Sequence, residues 1–262
     1  MISWASLTTF LYLMTRISGF VLLSPILGRK TIPGIVRGGM ILVLSVFIYP
    51  VMDGRPVEVP GGAAVFAVHI LLELLLGFFL GMAVHFFLYI PHLAGLMVDT
   101  QMGMTMNQIY DAGAESNLSV SGQLLNVLML LLFFAANGHH TLIRIILTSW
   151  DIVPLGMIAP GKAAVDAMLM LFVECTTLAL KLSMPILAAE LVGQLGMGIL
   201  MKAIPQINVF SINIELKVLI GLVMLFLLIA PISEFLLKAE MEMLDSLSQI
   251  IALSGSVQGT AG

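Results

Sequence analysis

Six long apolar segments constrain this chain more than any other feature of its sequence. They run from Leu7 to Leu27, Gly38 to Met52, Ala63 to Ile90, Leu124 to Trp150, Ala163 to Leu195 and Leu216 to Leu237. Lipid offers the backbone no hydrogen-bonding partner, so such segments must satisfy their amide and carbonyl groups internally, as an α-helix does. About 20 apolar residues are enough to cross the hydrocarbon core of a bilayer. We therefore expect an all-α integral membrane protein with about six apolar helical segments.

The composition of the chain also indicates a membrane protein, and it argues against several functional classes. Hydrophobic residues make up 60% of the chain and charged residues 10%, whereas soluble domains have about 45–50% and about 25%. The net charge of -4 is dispersed and no basic run is present, so nucleic acid is not an expected partner. The one cysteine, Cys175, gives no metal-ligand spacing. The first apolar segment lacks a basic leader and a cleavage site, which favours a retained helix.

Three prolines predict bends in these segments. Pro91 directly follows the third segment, and Pro185 and Pro231 lie within the fifth and the sixth. Proline removes a backbone donor and its ring clashes with the preceding helical turn. We expect kinked rather than straight helices. Small-residue spacings, such as Gly77 with Gly81, additionally predict close approach between helix backbones.

Ionisable residues within the apolar segments leave two functions open. His69 and Glu73 are four residues apart and share a helix face, but no HExxH pattern is present, so polar contacts between helices are expected rather than a metal or protease site. Glu174 and Lys181 are two helical turns apart on one side of the fifth segment. They could form an ion-coupled relay with Glu73 or make ion pairs with neighbouring subunits. The lack of a visible inverted repeat favours the ion pairs.

A polar insert separates the third and fourth apolar segments. It occupies residues 102–123 within "QMGMTMNQIYDAGAESNLSVSGQ" and contains no Lys or Arg. Met102, Met104 and Met106 alternate at its start, and methionine side chains adapt to irregular surfaces. Polar backbone at membrane depth is tolerated where protein buries it or where it lines an aqueous cavity. The insert therefore fits a position inside a pore better than a loop in free solvent.

Five blocks of the sequence are distinctive together: "TRISGFVLLSPILGRKTIPGIVRGGMILVLSVFIYP" from Thr15, "QMGM" from Gln101, "LLFFAANGHHTLI" from Leu131, "VPLG" from Val153 and "LGMGILMKAIPQINVFSINI" from Leu195. These blocks resemble those of the FliR family of flagellar biosynthesis proteins, to which type III secretion counterparts also belong. They occur in the same order over about residues 10 to 240. The flagellar branch fits better than the virulence branch on overall likeness.

This resemblance implies a non-enzymatic channel subunit of the flagellar type III protein export gate. It implies assembly with FliP and FliQ homologues into a hetero-oligomer of the bacterial inner membrane, at the flagellar basal body beside FlhA and FlhB homologues. Unfolded flagellar substrates would pass through this gate, and no cofactor is implied. Residues 1–160 would be similar in fold to FliP, and residues 161–262 to FliQ as a helical hairpin with a C-terminal tail. The alternative is an ion-coupled secondary transporter that acts alone.

The resemblance also assigns residues. The polar insert would plug the pore, with the plug and gasket residues Met102, Met104, Met106, Asn107, Gln108, Tyr110, Asp111, Gly113, Glu115 and Asn117. The hairpin tip would face the cytoplasm and include Lys202, Pro205, Gln206 and Asn208, while Glu174 and Lys181 would make intersubunit ion pairs. The family's Asp-Pro reads Asp111-Ala112 here, so the conformation of the loop remains open.

Overall fold

The computed structural model describes residues 4–25, 28, 32–52, 61–104, 119–156, 162–203 and 209–255. Every regular element in these ranges is helical, which confirms the all-α prediction. The helices are α1 (Trp4–Leu23), α2 (Gly34–Ile48) with a following 3-10 turn (Tyr49–Met52), α3 (Ala63–Met102), α4 (Val120–Ala135), α5 (Gly138–Ile152), α6 (Lys162–Ala203), α7 (Val209–Leu227) and α8 (Ile229–Gly255).

Four of these helical segments are long and apolar enough to cross a membrane. They are Trp4–Leu23, Gly34–Met52, Ala63–Met102 and Ala164–Lys202. The number rises to six if α4 with α5, and α7 with α8, each form one broken span. The protein is therefore an integral membrane protein, as the apolar segments predict.

The two longest helices pass through their prolines without a break. Helix α3 has 40 residues and contains Pro91, and α6 has 42 residues and contains Pro185. Both exceed the roughly 20 residues that a span requires, so each has length available beyond one crossing. The third proline behaves as predicted, because the chain bends by 64° between α7 and α8, and Pro231 lies in the first turn of α8. A proline in a first turn removes no intrahelical hydrogen bond.

The fourth apolar segment differs from its prediction as one continuous run. It is divided into α4 and α5 at Ala136 and Asn137. Asn137 has a φ of 60°, in the left-handed region, where asparagine is tolerated better than most residues with a side chain. The helical hydrogen-bond pattern stops there because a left-handed residue cannot continue a right-handed helix. The "NG" pair was the sequence signal for this break.

The chain forms two compact units, each assembled from separate stretches. Unit 1 comprises Met1–Phe87, Asn137–Phe172 and Met241–Gly262, and unit 2 comprises Leu88–Ala136 and Val173–Glu240. Both units therefore draw on both sides of residue 160. The division into a FliP-like part and a FliQ-like part concerns likeness to other proteins and stays a prediction.

Glycines bring helices into backbone contact within unit 1. A Cβ atom added at Gly77 of α3 would collide with the Arg16 carbonyl of α1, and one at Gly81 would lie 2.9 Å from the Phe20 carbonyl oxygen. This confirms the close packing predicted from the spacing of Gly77 and Gly81. Tyr12 and Leu13 of α1 are fully buried.

Candidate functional site at the root of the polar insert

Helix α3 ends at a glycine turn that opens the polar insert. Gly103 has a φ of 81°. Its amide donates to the Thr100 carbonyl at 3.2 Å, and the Met104 amide donates to the Asp99 carbonyl at 3.0 Å. This pair of bonds is the Schellman helix stop, in which glycine is favoured because a side chain is strained at positive φ. The glycine of "QMGM" therefore directs the chain out of α3.

Helix α4 begins at a serine cap where the insert ends. Ser119 has extended backbone, and its Oγ accepts a hydrogen bond from the Gly122 amide at 2.9 Å. The first amides of a helix have no intrahelical partner, so a serine at this position satisfies one of them. The return point of the insert is therefore as well defined as its exit point.

One carboxylate joins the two ends of the insert. Asp99 Oδ2 accepts a hydrogen bond from Ser119 Oγ at 2.7 Å and another from the Ser121 amide at 3.1 Å. Asp99, Ser119 and Ser121 are all buried. A carboxylate at a helix N-terminus is also favoured by the helix dipole. We call Asp99, Ser119, Ser121 and Gly122 the insert neck, since together they hold both ends of the insert at one place.

Backbone packing beside the insert neck leaves no room for side chains. A Cβ atom added at Gly95 of α3 would collide with the backbone of Gly122 in α4. One added at Gly122 would lie 2.6 Å from Ser119 Oγ and 2.9 Å from the His92 carbonyl oxygen. The two helices therefore touch directly where the insert leaves and returns.

A second buried polar cluster lies in unit 1. Arg16 donates from Nε to Glu73 Oε2 at 2.7 Å and from Nη2 to Glu73 Oε1 at 3.2 Å. It also donates to Ser149 Oγ at 3.2 Å and to the Val153 carbonyl at 3.1 Å. The Gly156 amide donates to Glu73 Oε1 at 2.8 Å. These bonds connect α1, α3 and the end of α5, and both Glu73 oxygens accept hydrogen bonds.

Both clusters lie in the part of the chain that matches a protein family. A family model described as bacterial export proteins, family 1, matches residues 7–243. The chain belongs to this family. The matched region contains the insert neck, Arg16, Glu73 and the "VPLG" turn. The residues that build the two clusters therefore lie within the region that the family model covers.

Individual relatives are similar over nearly their whole length. The flagellar biosynthetic protein FliR of Bacillus subtilis (strain 168) is 25% identical over 252 residues, which are 94% of this chain and 95% of that protein. FliR of Escherichia coli (strain K12) is 26% identical over 259 residues, 96% of this chain and 95% of that protein. The Yop proteins translocation protein T of Yersinia pestis is 24% identical over 251 residues, again with 94% and 95% coverage.

In this bacterial export protein, the structure describes the first residues of the predicted plug. Met102 is fully buried, and a Cβ atom added at Gly221 of α7 would collide with its methyl group. Met104 is half-buried. The remaining predicted plug residues lie outside the described residues: Met106, Asn107, Gln108, Tyr110, Asp111, Gly113, Glu115 and Asn117. The structure thus fixes the root of the insert, and the assignment of a plug stays a prediction.

The predicted polar contacts between helices are present in unit 1. The Tyr12 hydroxyl lies 3.1 Å from His69 Nδ1, and Glu73 pairs with Arg16. An ion relay needs a carboxylate that can exchange partners. Glu73 accepts three hydrogen bonds from described residues, two of them from Arg16, and this fixed pairing weighs against its use as an ion relay.

The other predicted charged residues lie at surfaces. Glu174 and Lys181 of α6 are both exposed, and the described part of the chain offers them no ion pair. Their pairing with other subunits stays a prediction. Lys202 is exposed near the end of α6, whereas Pro205, Gln206 and Asn208 of the predicted tip lie outside the described residues.

Sequence reasoning missed the residues that build both clusters. Arg16, Asp99, Ser119 and Ser149 were not singled out, because single polar residues in apolar segments do not show which partner they meet. Signals existed for two of them: Asp99 lies four residues before the helix-stop Gly103, and Ser119 is a typical cap residue before an apolar run. The described residues contain no group of three or more side chains that could hold a metal ion.

Proposed function

We propose that this chain is a channel subunit of the flagellar type III protein export gate in the bacterial inner membrane. It assembles with FliP and FliQ homologues, works beside FlhA and FlhB homologues, and passes unfolded flagellar substrates without catalysing a reaction. Its relatives named FliR and Yop proteins translocation protein T support a place in such an apparatus. The observation that carries the proposal is the insert neck, which holds both ends of a polar segment that lacks Lys and Arg.

The insert neck suits a pore plug for a mechanical reason. A loop anchored at two neighbouring points stays in place, while its middle can be displaced without unfolding the helices that carry it. The buried bonds of Asp99 resist separation of the two ends, because an unpaired buried carboxylate is costly. The polar middle, residues 105–118, can then block water and ions and give way to a passing chain.

Exposed charges on α6 fit a subunit surrounded by other subunits. Glu174 and Lys181 project from a long apolar helix. Charged side chains facing lipid are costly, whereas charges of neighbouring proteins can pair with them. In this proposal residues 1–160 take the FliP-like place, residues 161–262 take the FliQ-like place, and Lys202, Pro205, Gln206 and Asn208 lie at the cytoplasmic tip.

The plug is tested by deleting residues 107–117, which leaves the insert neck and Met102 in place. We expect the variant to assemble with its partners and to make the membrane leak ions. The matched control is the same deletion in cells without the FliP homologue, where the leak should disappear because no pore forms. Leakage at the wild-type level in an assembled complex would contradict the plug.

The partners are tested by native mass spectrometry after co-expression with the FliP and FliQ homologues of the same organism. A discrete complex of all three chains, together with loss of this chain when it is produced alone, is the expected result. A stable monomer or homodimer that ignores both partners would contradict the export gate and favour a self-sufficient transporter.

A further inference from the structure

A buried carboxyl group without a well-aligned hydrogen-bond donor lies beside the root of the insert. Glu190 of α6 has no exposed surface, and neither of its carboxyl oxygens has a donor at full hydrogen-bond geometry among the described residues, the nearby Gly221 backbone amide interacting with it only weakly. Unsatisfied buried acceptors are rare in native proteins, so this carboxyl group calls for an explanation.

The surroundings of Glu190 connect it to the insert. Glu190 Oε1 lies 2.9 Å from the point where a Cβ atom at Gly221 would stand, and the Met102 methyl group reaches the same point. Met102 is the last residue of α3, directly before the helix-stop Gly103. The carboxyl group therefore forms part of the buried seat into which the root of the insert packs.

One positive charge acts on this seat without contacting it. Lys217 lies one turn before Gly221 on α7 and interacts electrostatically with Glu190. It forms no ion pair with Glu190 within 4.0 Å in the described structure. From α3, the side chain that meets the seat is Met102, which carries no charge. Lys217 is thus a charged group on a neighbouring helix that is positioned to respond to Glu190.

An ionised carboxylate in this position would be strongly disfavoured. Burying an isolated charge without hydrogen bonds costs many kcal/mol, and such a group takes up a proton or gains a partner instead. A protonated carboxyl group is neutral and compatible with the Met102 methyl group and the Gly221 backbone. We propose that Glu190 is a proton-binding site in the seat of Met102, and that loss of its proton loosens the root of the insert.

Loss of the proton from Glu190 is coupled to movement of Met102 because an ionised carboxylate requires hydrogen-bond donors. When the O–H bond of Glu190 breaks, the proton passes to water and the carboxylate is left needing donors. The Met102 methyl group lies beside this carboxyl group, so water or the Lys217 ammonium group can approach it when Met102 moves aside. Displacement of Met102 and loss of the proton therefore favour each other by the same factor, because linkage is reciprocal.

The proton site can be tested by infrared spectroscopy on the complete reconstituted complex near neutral pH. We expect a carboxylic acid carbonyl band that disappears in Glu190→Gln and persists in Glu234→Gln, an exposed acidic position on α8. A band unaffected by Glu190→Gln would overturn the proton site. This readout does not depend on channel activity, so it remains informative even if the proposed export function fails.

The coupling to the insert rests on the proposed function and needs a second readout. A nitroxide spin label at Met104→Cys, in a Cys175→Ala background, reports the mobility of the insert root by electron paramagnetic resonance. Mobility should rise with pH in the otherwise wild-type chain and in Glu234→Gln, and this pH response should be lost in Glu190→Gln. A response that Glu190→Gln retains, or a line shape that does not change with pH, would overturn the coupling.

Discussion

Arg16 and Glu73 form an ion pair that is almost completely removed from solvent, with 1% and 0% of their surfaces exposed. The guanidinium group donates to both carboxylate oxygens and to the Val153 carbonyl. The Gly156 amide donates a further hydrogen bond to the carboxylate. One residue pair thereby connects three separate stretches of unit 1. Such a pair stabilises the fold only while both partners are present, because the loss of one leaves the other charge buried and unpaired.

Breaking this pair should strongly destabilise the protein. Arg16→Met leaves the Glu73 carboxylate buried with only the Gly156 amide as a donor, which should cost about 3–5 kcal/mol. Thermal unfolding of the purified complex in detergent measures the loss. Lys238→Met, at an exposed position on α8, is the control and should have little effect.

Removing both charges should be less damaging than the two single losses combined. Arg16→Met with Glu73→Leu removes both charges of this pair, although Ser149, Val153 and Gly156 lose their partners. We expect partial recovery of the midpoint of thermal unfolding relative to Arg16→Met. Strict additivity of the two substitutions would show that the charges do not act as a unit.

Loss of the Asp99 carboxylate should open the insert neck. Asp99→Ala leaves the Ser121 amide buried without its acceptor, which costs about 1–3 kcal/mol. We expect a complex that still assembles but leaks ions, since the two ends of the insert are no longer joined. Asp151→Ala, at an exposed acidic position near the end of α5, should leave leakage unchanged. If the complex with Asp99→Ala leaks no more ions than the wild type, the insert neck is not needed to keep the pore closed.

Two glycine substitutions should have opposite effects. A Cβ atom at Gly95 meets the backbone of Gly122, so Gly95→Ala forces α3 and α4 apart and should destabilise unit 2 by about 1–3 kcal/mol. Gly38 in α2 has nothing within 4 Å of the same added atom. Gly38→Ala should instead stabilise its helix by about 0.5–1 kcal/mol, because alanine is the better helix former. Thermal unfolding of both variants tests the pair, and equal shifts would contradict the predicted contact.

The sequence was sufficient to predict the helical class, because apolar runs in lipid have few alternatives to a helix. It also predicted the bend near Pro231 and the contact at Gly77, since proline and glycine act through local backbone geometry. It did not predict the break at Asn137, where a single left-handed residue divides a run that is apolar as a whole. The high hydrophobicity of the whole segment predicts one continuous helix and hides the local signal of the Asn-Gly pair.

The polar clusters could not be predicted for a different reason. Arg16 and Glu73 are 57 residues apart, and Asp99 lies 20 residues from Ser119. Such pairs form only after the helices pack, so no periodic pattern marks them. The polar composition of the insert predicted its start at Met102, where α3 ends, but α4 already begins at Val120, within the predicted range 102–123. The connection of the two ends through Asp99 depends on tertiary contacts.

A double variant can determine whether Met102 and Gly221 contact each other as the structure describes. Gly221→Ala places a methyl group where the Met102 side chain lies and beside Glu190 Oε1, so Met102 must move and stability should fall by about 1–3 kcal/mol. Met102→Ala alone leaves a cavity at a fully buried position and should cost about 2–5 kcal/mol. In the double variant the added methyl group occupies part of that cavity. Its loss of stability should therefore be smaller than the sum of the two single losses, as measured by thermal unfolding. If the losses add, the Met102 side chain does not pack on Gly221, and the link between the insert root and Glu190 loses its structural basis.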